Sequence, residues 1–401
     1  MLINNSLLNE FFRGFHIQRW NDRIRPMDLI EIDKHSHKML LAYIIGKYEE
    51  MNGHKVDWNK IIINGIFELL RRIVISDIKS PIYAAITKND IVFAKLNEYI
   101  FNKLENYIDN DNLKLEFYNY LFKNNDIFDI NDNILSAAHI YASLWEFKII
   151  EQANPNNYQT DKIRIELNNR IEQFKDLTGI NKLLNHHTIA NFVDLFGYLR
   201  FQYRWAQIPR VPKTSVLGHS LFVAITSYFF ARENNACPKR LYNAFFGGLF
   251  HDLPEAVTRD IISPVKSSSQ ELDNLIKSLE SELAENEIYP LLEPSWVDEM
   301  RYFVVDEFDC KIYTENRKSI IGGTSELNSL YNQDKYNPYD GELIRAADHL
   351  AAFLEVWNSC KAGIKTEEMT VAAEKLKSMY KDKILGNVEF NELYNKFAGI
   401  C

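Results

Sequence analysis

The sequence predicts an all-α protein built from two related helical domains, on three observations. Apolar residues recur at three- and four-residue spacing through 39–48, 61–75, 134–150, 221–231, 241–257 and 343–357, whereas two-residue alternation is scarce. Only 11 prolines and 15 glycines interrupt 401 residues, so long helices run unbroken. The chain also repeats itself at four collinear places, the pattern left by a duplicated unit.

The clearest repeat sets 61–82 beside 244–265 without a gap, and eight of the 22 positions are identical. Gly65, Phe67, Leu70, Ser80 and Pro81 face Gly248, Phe250, Leu253, Ser263 and Pro264. Arg19-Trp20 stands 16 residues before His35-Ser36, and Arg204-Trp205 stands 15 before His219-Ser220. Ala137-Ala138-His139 resembles Ala346-Ala347-Asp348. These matches predict two halves, 1–170 and 185–401, with the polar stretch 151–162 and its Asn154-Pro155 opening the junction. The interval from His251 to Asp348 is 97 residues against 71 from Glu68 to His139, which places an insertion at about 267–342. Within it, 267–285 reads as a solvated amphipathic helix, and 322–324 and 331–341 read as loops.

Composition narrows the classes. A 46% hydrophobic chain has ample core material, and its length suits about two domains of ~150 residues each. The net charge of −9, without a long basic run, excludes a general nucleic-acid groove while leaving room for a local basic pocket. Cys237, Cys310, Cys360 and Cys401 form no C-x-x-C pair, so reduced thiols are expected. With no secretory leader pattern and no apolar run long enough for a bilayer, a cytoplasmic protein without a membrane partner is expected.

The chemistry gathers in the second half. His251-Asp252 is followed three residues later by Glu255, and one helix over 240–257 would set all three on roughly one face. Imidazole and carboxylate suit a divalent metal, and a carboxylate beside them suits proton transfer. Where the second half has His219, His251, Asp252 and Asp348, the first has His35, Glu68, Leu69 and His139, and Arg72 stands in for Glu255. The first half thus reads as structural or regulatory; the alternative is weak metal binding by His35, Glu68 and His139. His186-His187 has no acidic or cysteine partner nearby and reads as a surface doublet.

The order His219, His251-Asp252, Asp348 resembles the H…HD…D signature of the HD-domain metal-dependent phosphohydrolases. With Arg204-Trp205 ahead of it and Thr258, Asp260 and Pro264-Val265-Lys266 behind, it is similar to the bacterial 5′-deoxynucleotidase branch over about 197–357. The resemblance implies two tandem HD-like bundles, the N-terminal one degenerate. It implies one divalent ion (Mn, Co, Fe, Zn, Ni or Mg) on His219, His251, Asp252 and Asp348. Asp252 and Glu255 would be catalytic, and Arg204, Trp205, Thr258, Asp260 and Lys266 would meet substrate. The implied activity is hydrolysis of a small phosphoester, foremost a nucleoside (deoxy)monophosphate. A triphosphate, a cyclic nucleotide or an alarmone is the alternative substrate, and a non-catalytic metal- and nucleotide-binding sensor the alternative role. The expected partner is that small molecule, with no stable nucleic-acid binding; a homodimer is compatible. Gly218, where the branch usually has glutamate, departs from the pattern. Asp260 recurs as Asp77 in the first half, so it has an architectural reading as a cap beside the functional one.

Overall fold

The computed structural model describes residues 1–397 apart from 77, 123–128, 156–157, 260–268 and 316. The protein is all-α, with three small two-stranded sheets among the described residues. The chain divides into two compact units, Met1–Lys182 and Leu183–Cys401.

The first unit contains α1 (Asn5–Phe12), α2 (Glu31–Met51), α3 (Trp58–Ile75), α4 (Ser80–Thr87), α5 (Asp90–Leu104), α6 (Asp111–Leu121), α7 (Ile130–Ala153) and α8 (Tyr158–Glu172). Short polar side chains start several of them: Asn4, Asp57, Asn89, Asn110 and Asp129 each accept a first-turn amide that has no partner within its own helix. α2 is buried on every side from Glu31 to Gly46 and packs against α3 and α7, so it is the central helix of this unit. Ahead of it, β1 (Gln18–Arg19) pairs antiparallel with β2 (Leu29–Ile30).

The division between the units falls within α9 (Thr178–Asn185). The second unit continues with α10 (His187–Gly197), α11 (Val216–Glu233), α12 (Pro238–Phe250), α13 (Glu255–Thr258), α14 (Gln270–Leu283), α15 (Val297–Val304), α16 (Gly341–Lys361), α17 (Glu367–Met379) and α18 (Phe390–Asn395). α11 is its central helix, buried from Val216 to Ala231 and packed against α12 and α16. Ser215 starts α11 by accepting the Gly218 amide at 2.9 Å. The α11–α12 contact needs Gly248: a Cβ there would lie 2.8 Å from the Ala224 Cα. Asp340 starts α16 by accepting the Leu343 amide, and its carboxylate is paired in the interior with Arg240.

Within 267–342, α14 falls in the stretch read as an amphipathic helix. The hairpin of β3 (Lys311–Thr314) and β4 (Arg317–Ile320) was not legible in the apolar pattern, because β4 is largely exposed and carries no alternation. Lys311 explains how this segment is held. Its Nζ donates to the carbonyls of Tyr302 (2.6 Å) and Val305 (2.9 Å) at the end of α15, and lies 4.0 Å from the Tyr339 ring centre. Burial pushes its pKa down to about 7. Of the stretches read as loops, 322–324 leads into helical turns over 324–331, and 331–341 carries one turn at Asp334–Tyr336 and an antiparallel bridge from Tyr339 to Lys311. Cys237 and Cys310 are free thiols, as expected; Cys360 is disulfide-bonded, which corrects the expectation for that residue.

Local backbone features recur between the units in the same order. Gln18 pairs with Ile30, and Tyr203 pairs with Ser215. Trp20 (φ 54°) and Trp205 (φ 57°) both have positive φ, as do Ser76 (φ 53°) and Arg259 (φ 67°). α2 begins directly after Ile30, and α11 directly after Ser215. The strand pairs and helix starts fix a register in which His219 corresponds to Lys34. In this backbone register Lys34 stands opposite His219, whereas sequence identity sets His35-Ser36 against His219-Ser220.

Candidate metal centre

α12 stops at Phe250, and the reason is Pro254. It has no amide to donate to the Phe250 carbonyl, and its ring clashes with a continuing helix. Tighter turns follow: the amides of Leu253 and Glu255 donate to the carbonyls of Phe250 and Asp252 at 2.9 and 3.1 Å. The single helix expected over 240–257 is thus broken, and Glu255 opens the short α13. The argument that placed His251, Asp252 and Glu255 on one helical face does not hold.

The break leaves His251 and Asp252 at the end of α12, while α11 supplies His219 and α16 supplies Asp348. His251 donates its Nδ1–H to the Gly248 carbonyl at 2.8 Å, which directs Nε2 at Asp252 Oδ2, 3.2 Å away. His219 Nε2 lies 3.0 Å from Asp348 Oδ1 and 3.8 Å from Asp252 Oδ2. The candidate ligand atoms of His219, His251 and Asp252 all lie within 4.8 Å of one another. Both Nε2 atoms and Asp252 Oδ2 are buried without a hydrogen bond of proper alignment. Buried polar atoms are normally bonded, so three that converge unbonded fit a common cation. Two imidazoles and carboxylate oxygen form a donor set suited to a divalent ion. These three residues could hold a metal, and Asp348 flanks them through His219.

Arg204 lies among three carboxylates: Asp252 at 3.6 Å, Asp348 at 3.7 Å and Glu355 at 3.4 Å. Glu355 is a residue the sequence reading missed. It is buried, accepts from Trp205 Nε1 at 2.7 Å and Thr214 Oγ1 at 2.8 Å, and its Oε1 lies 3.7 Å from His219 Nδ1. It thus fixes the Arg204-Trp205 turn and backs the far side of the His219 ring, the position from which a carboxylate orients a metal-binding imidazole. A signal for it was present. Glu355 follows Asp348 by two helical turns, as Glu146 follows His139, and Glu146 accepts from Arg19 Nε and Trp20 Nε1, both at 2.9 Å.

Charge is strongly coupled here. Burial alone would raise the carboxyl pKa values, but His251, then His219 and Arg204, outweigh it at Asp252, holding it down to about 2. Against the same burial, His219 and Arg204 depress Asp348, and Arg204 and Arg210 depress Glu355. His251 moves the other way: burial lowers it, yet Asp252 outweighs burial and raises it to about 9. In the metal-free protein, the protonated His251 stabilises the fold fully below the ordinary histidine value, and this contribution is lost as pH rises through about 9. An ion at Nε2 must displace that proton. Metal affinity is therefore expected to rise about tenfold per pH unit towards the His251 value and then level off. Competition titrations with a metal-chelating dye across pH check this; a flat profile would show that no proton leaves.

The remaining predicted contacts divide. Glu255 is buried, and its main-chain carbonyl accepts from Gln202 Nε2 at 2.9 Å. Thr258 donates its hydroxyl back to the Pro254 carbonyl at 3.2 Å. Asp260 and Lys266 lie outside the described residues. Glu307, in the predicted insertion, was not anticipated: its carboxyl is pushed up by burial and feels both His251 and Asp252, and the neighbouring Phe308 ring lies 6.3 Å from that of His251. No alternation or motif marks it in the sequence.

Residues 196–377 match the HD domain family. Among solved structures, the chain is similar to a crystal structure of an HD-domain phosphohydrolase from Listeria innocua, with 17% identity and a TM-score of 0.40, over 52% of this chain and 89% of that one. No curated protein matches the chain. Among the described residues, no helix is long and apolar enough to cross a membrane. The HD-domain match thus spans the helices that carry His219, His251-Asp252 and Asp348 and covers most of the second unit.

Proposed function

We propose that the second unit is a metal-dependent phosphohydrolase acting on a small phosphoester, with a nucleoside (deoxy)monophosphate as the favoured substrate. One observation carries the reading: the unbonded, buried ligand atoms of His219, His251 and Asp252 converge beside the Arg204 guanidinium. These three residues would hold the ion, with Asp348 completing the set. Once bound, it would supply Lewis acidity towards the phosphoryl oxygens and lower the pKa of water. Arg204 offers a permanently charged planar fork to phosphoryl oxygens, and its anchoring by Glu355 keeps that fork oriented. Asp252 stays ionised as a ligand, and Glu255 serves as the proton donor and acceptor. Trp205 gives its indole N–H to Glu355, so its part in substrate binding is through the ring. Thr258, Asp260 and Lys266 would serve as contacts to the sugar and phosphate in this reading.

The first unit, in the same reading, is an altered copy of the second, with a structural or regulatory role. The shared strand pairs, positive-φ residues and Arg-Trp-Glu anchors support this.

The test is a phosphate-release panel. Chelated full-length protein is reloaded with Mn²⁺, Co²⁺ or Mg²⁺ and offered deoxy- and ribonucleoside mono-, di-, tri- and cyclic phosphates. Turnover of monophosphates above the others is expected. Turnover of another class would redirect the substrate assignment, and metal binding without any turnover would overturn the enzymatic reading.

A further inference from the structure

The first unit's centre has the opposite electrostatic character to the second's. Setting Lys34, Glu68, Leu69, Arg72 and His139 against His219, His251, Asp252, Glu255 and Asp348 changes the formal charge at five positions from −3 to +1, with histidines neutral. Lys34 Nζ lies 3.0 and 3.2 Å from the two ring nitrogens of His139, much as His219 lies against Asp348. An ammonium therefore occupies the place of a metal-binding imidazole. His35, offered above as a metal ligand, instead has its Nε2 bonded to the Gly65 carbonyl at 2.7 Å.

The surrounding ion pairs leave one cation over. Arg19 bonds Glu31 (2.7 Å) and Glu146 (2.9 Å), and Arg72 approaches Glu31 at 3.3 Å. Lys38 pairs with Glu68 at 2.5 Å, which also meets His139 at 3.0 Å. Three carboxylates thus serve Arg19, Arg72 and Lys38. Among the described residues, Lys34 has no carboxylate within ion-pair range, although it is 2% exposed. A buried charge is normally matched by an opposite one. Burial and then Arg19 push the Lys34 pKa well below the ordinary lysine range, against Glu31 and Glu146, which favour its charged form. His139, whose side chain is 30% exposed, forms the open edge of the cluster.

We propose that this centre is a metal-independent binding site for the phosphate group of a small molecule, with Lys34 as its principal contact and Arg72 beside it. The site takes an anion where the second unit takes a cation, because its charge pattern is inverted. The inference uses the correspondence between the units, but it does not require the second unit to turn over substrate.

The experiment is calorimetric titration of inorganic phosphate into metal-stripped full-length protein, whose second unit then carries excess negative charge at its own centre. One phosphate per chain is expected, weakened at least tenfold by Lys34→Met, which retains the apolar stem, and also by Arg72→Gln. Parallel titrations with ribose 5-phosphate and a deoxynucleoside monophosphate distinguish a phosphoester ligand, which would bind more tightly than phosphate, from free phosphate, which would not be improved upon. Absence of binding, or binding unchanged in both folded variants, would overturn the proposal. Since turnover is not measured, its failure is separate from failure of the hydrolase reading.

Discussion

Asp252→Ala is expected to abolish metal-dependent phosphate release, with a loss of about 10³-fold or more if the Lewis-acid contribution is about 4 kcal/mol. The side chain is the common neighbour of His251 (3.2 Å), His219 (3.8 Å) and Arg204 (3.6 Å), so its removal takes away a ligand and the charge that organises the others. Asp252→Asn retains the shape but not the charge and should lose nearly as much. Metal content measured after dialysis should fall with activity in both variants, while circular dichroism stays helical. Full activity in a folded Asp252→Ala protein would place the chemistry elsewhere in the chain.

The second large effect is on stability. Glu355→Ala removes the acceptor shared by Arg204, Trp205 and Thr214, leaving a guanidinium, an indole N–H and a hydroxyl without it in a buried place. Breaking a buried charged network from one side costs about 3–5 kcal/mol, and this is the loss expected in urea denaturation. Glu355→Gln retains acceptor capacity and should fall between the two. The pH dependence has a definite sign. The Glu355 pKa is held below the ordinary glutamate value, so its contribution is present above that value and lost as pH falls through the folded-state pKa. Wild type and Glu355→Ala should therefore converge in stability on acidification. A variant as stable as wild type at neutral pH would reduce the Arg204-Trp205-Glu355 arrangement to a surface coincidence.

The positive φ of Trp205 gives this network a second purpose. A non-glycine residue at φ 57° is conformationally costly, by about 1–3 kcal/mol, and persists only when its surroundings hold it. The indole bond to Glu355 holds it, and the equivalent bond from Trp20 to Glu146 holds its counterpart. That a glutamate does this in both units assigns Arg-Trp first to architecture. In the second unit, Arg204 also faces Asp252 and Asp348, so there the same fork lies against the candidate metal centre.

The sequence by itself determined the helical class, because three- and four-residue apolar spacing reports directly on which faces are buried. It also singled out His219, His251, Asp252 and Asp348, because residues separated by up to 129 positions kept an order found in a known motif. Three matters needed the tertiary structure. Pro254 lies in an apolar run whose periodicity continues through it, so the break that separates Glu255 from the His251 face was invisible to spacing. Glu355 repeats the spacing of Glu146, but its role shows only where Arg204, Trp205 and Thr214 converge on it from a distant turn; Glu307 carries no motif, and folding brings it near His251 and Asp252. Lys34 was passed over for the adjacent His35, since identity favours like residues whereas geometry favours like positions. Only the strand pair and helix start ahead of α2 set that register, and with it the cation in the first unit's centre.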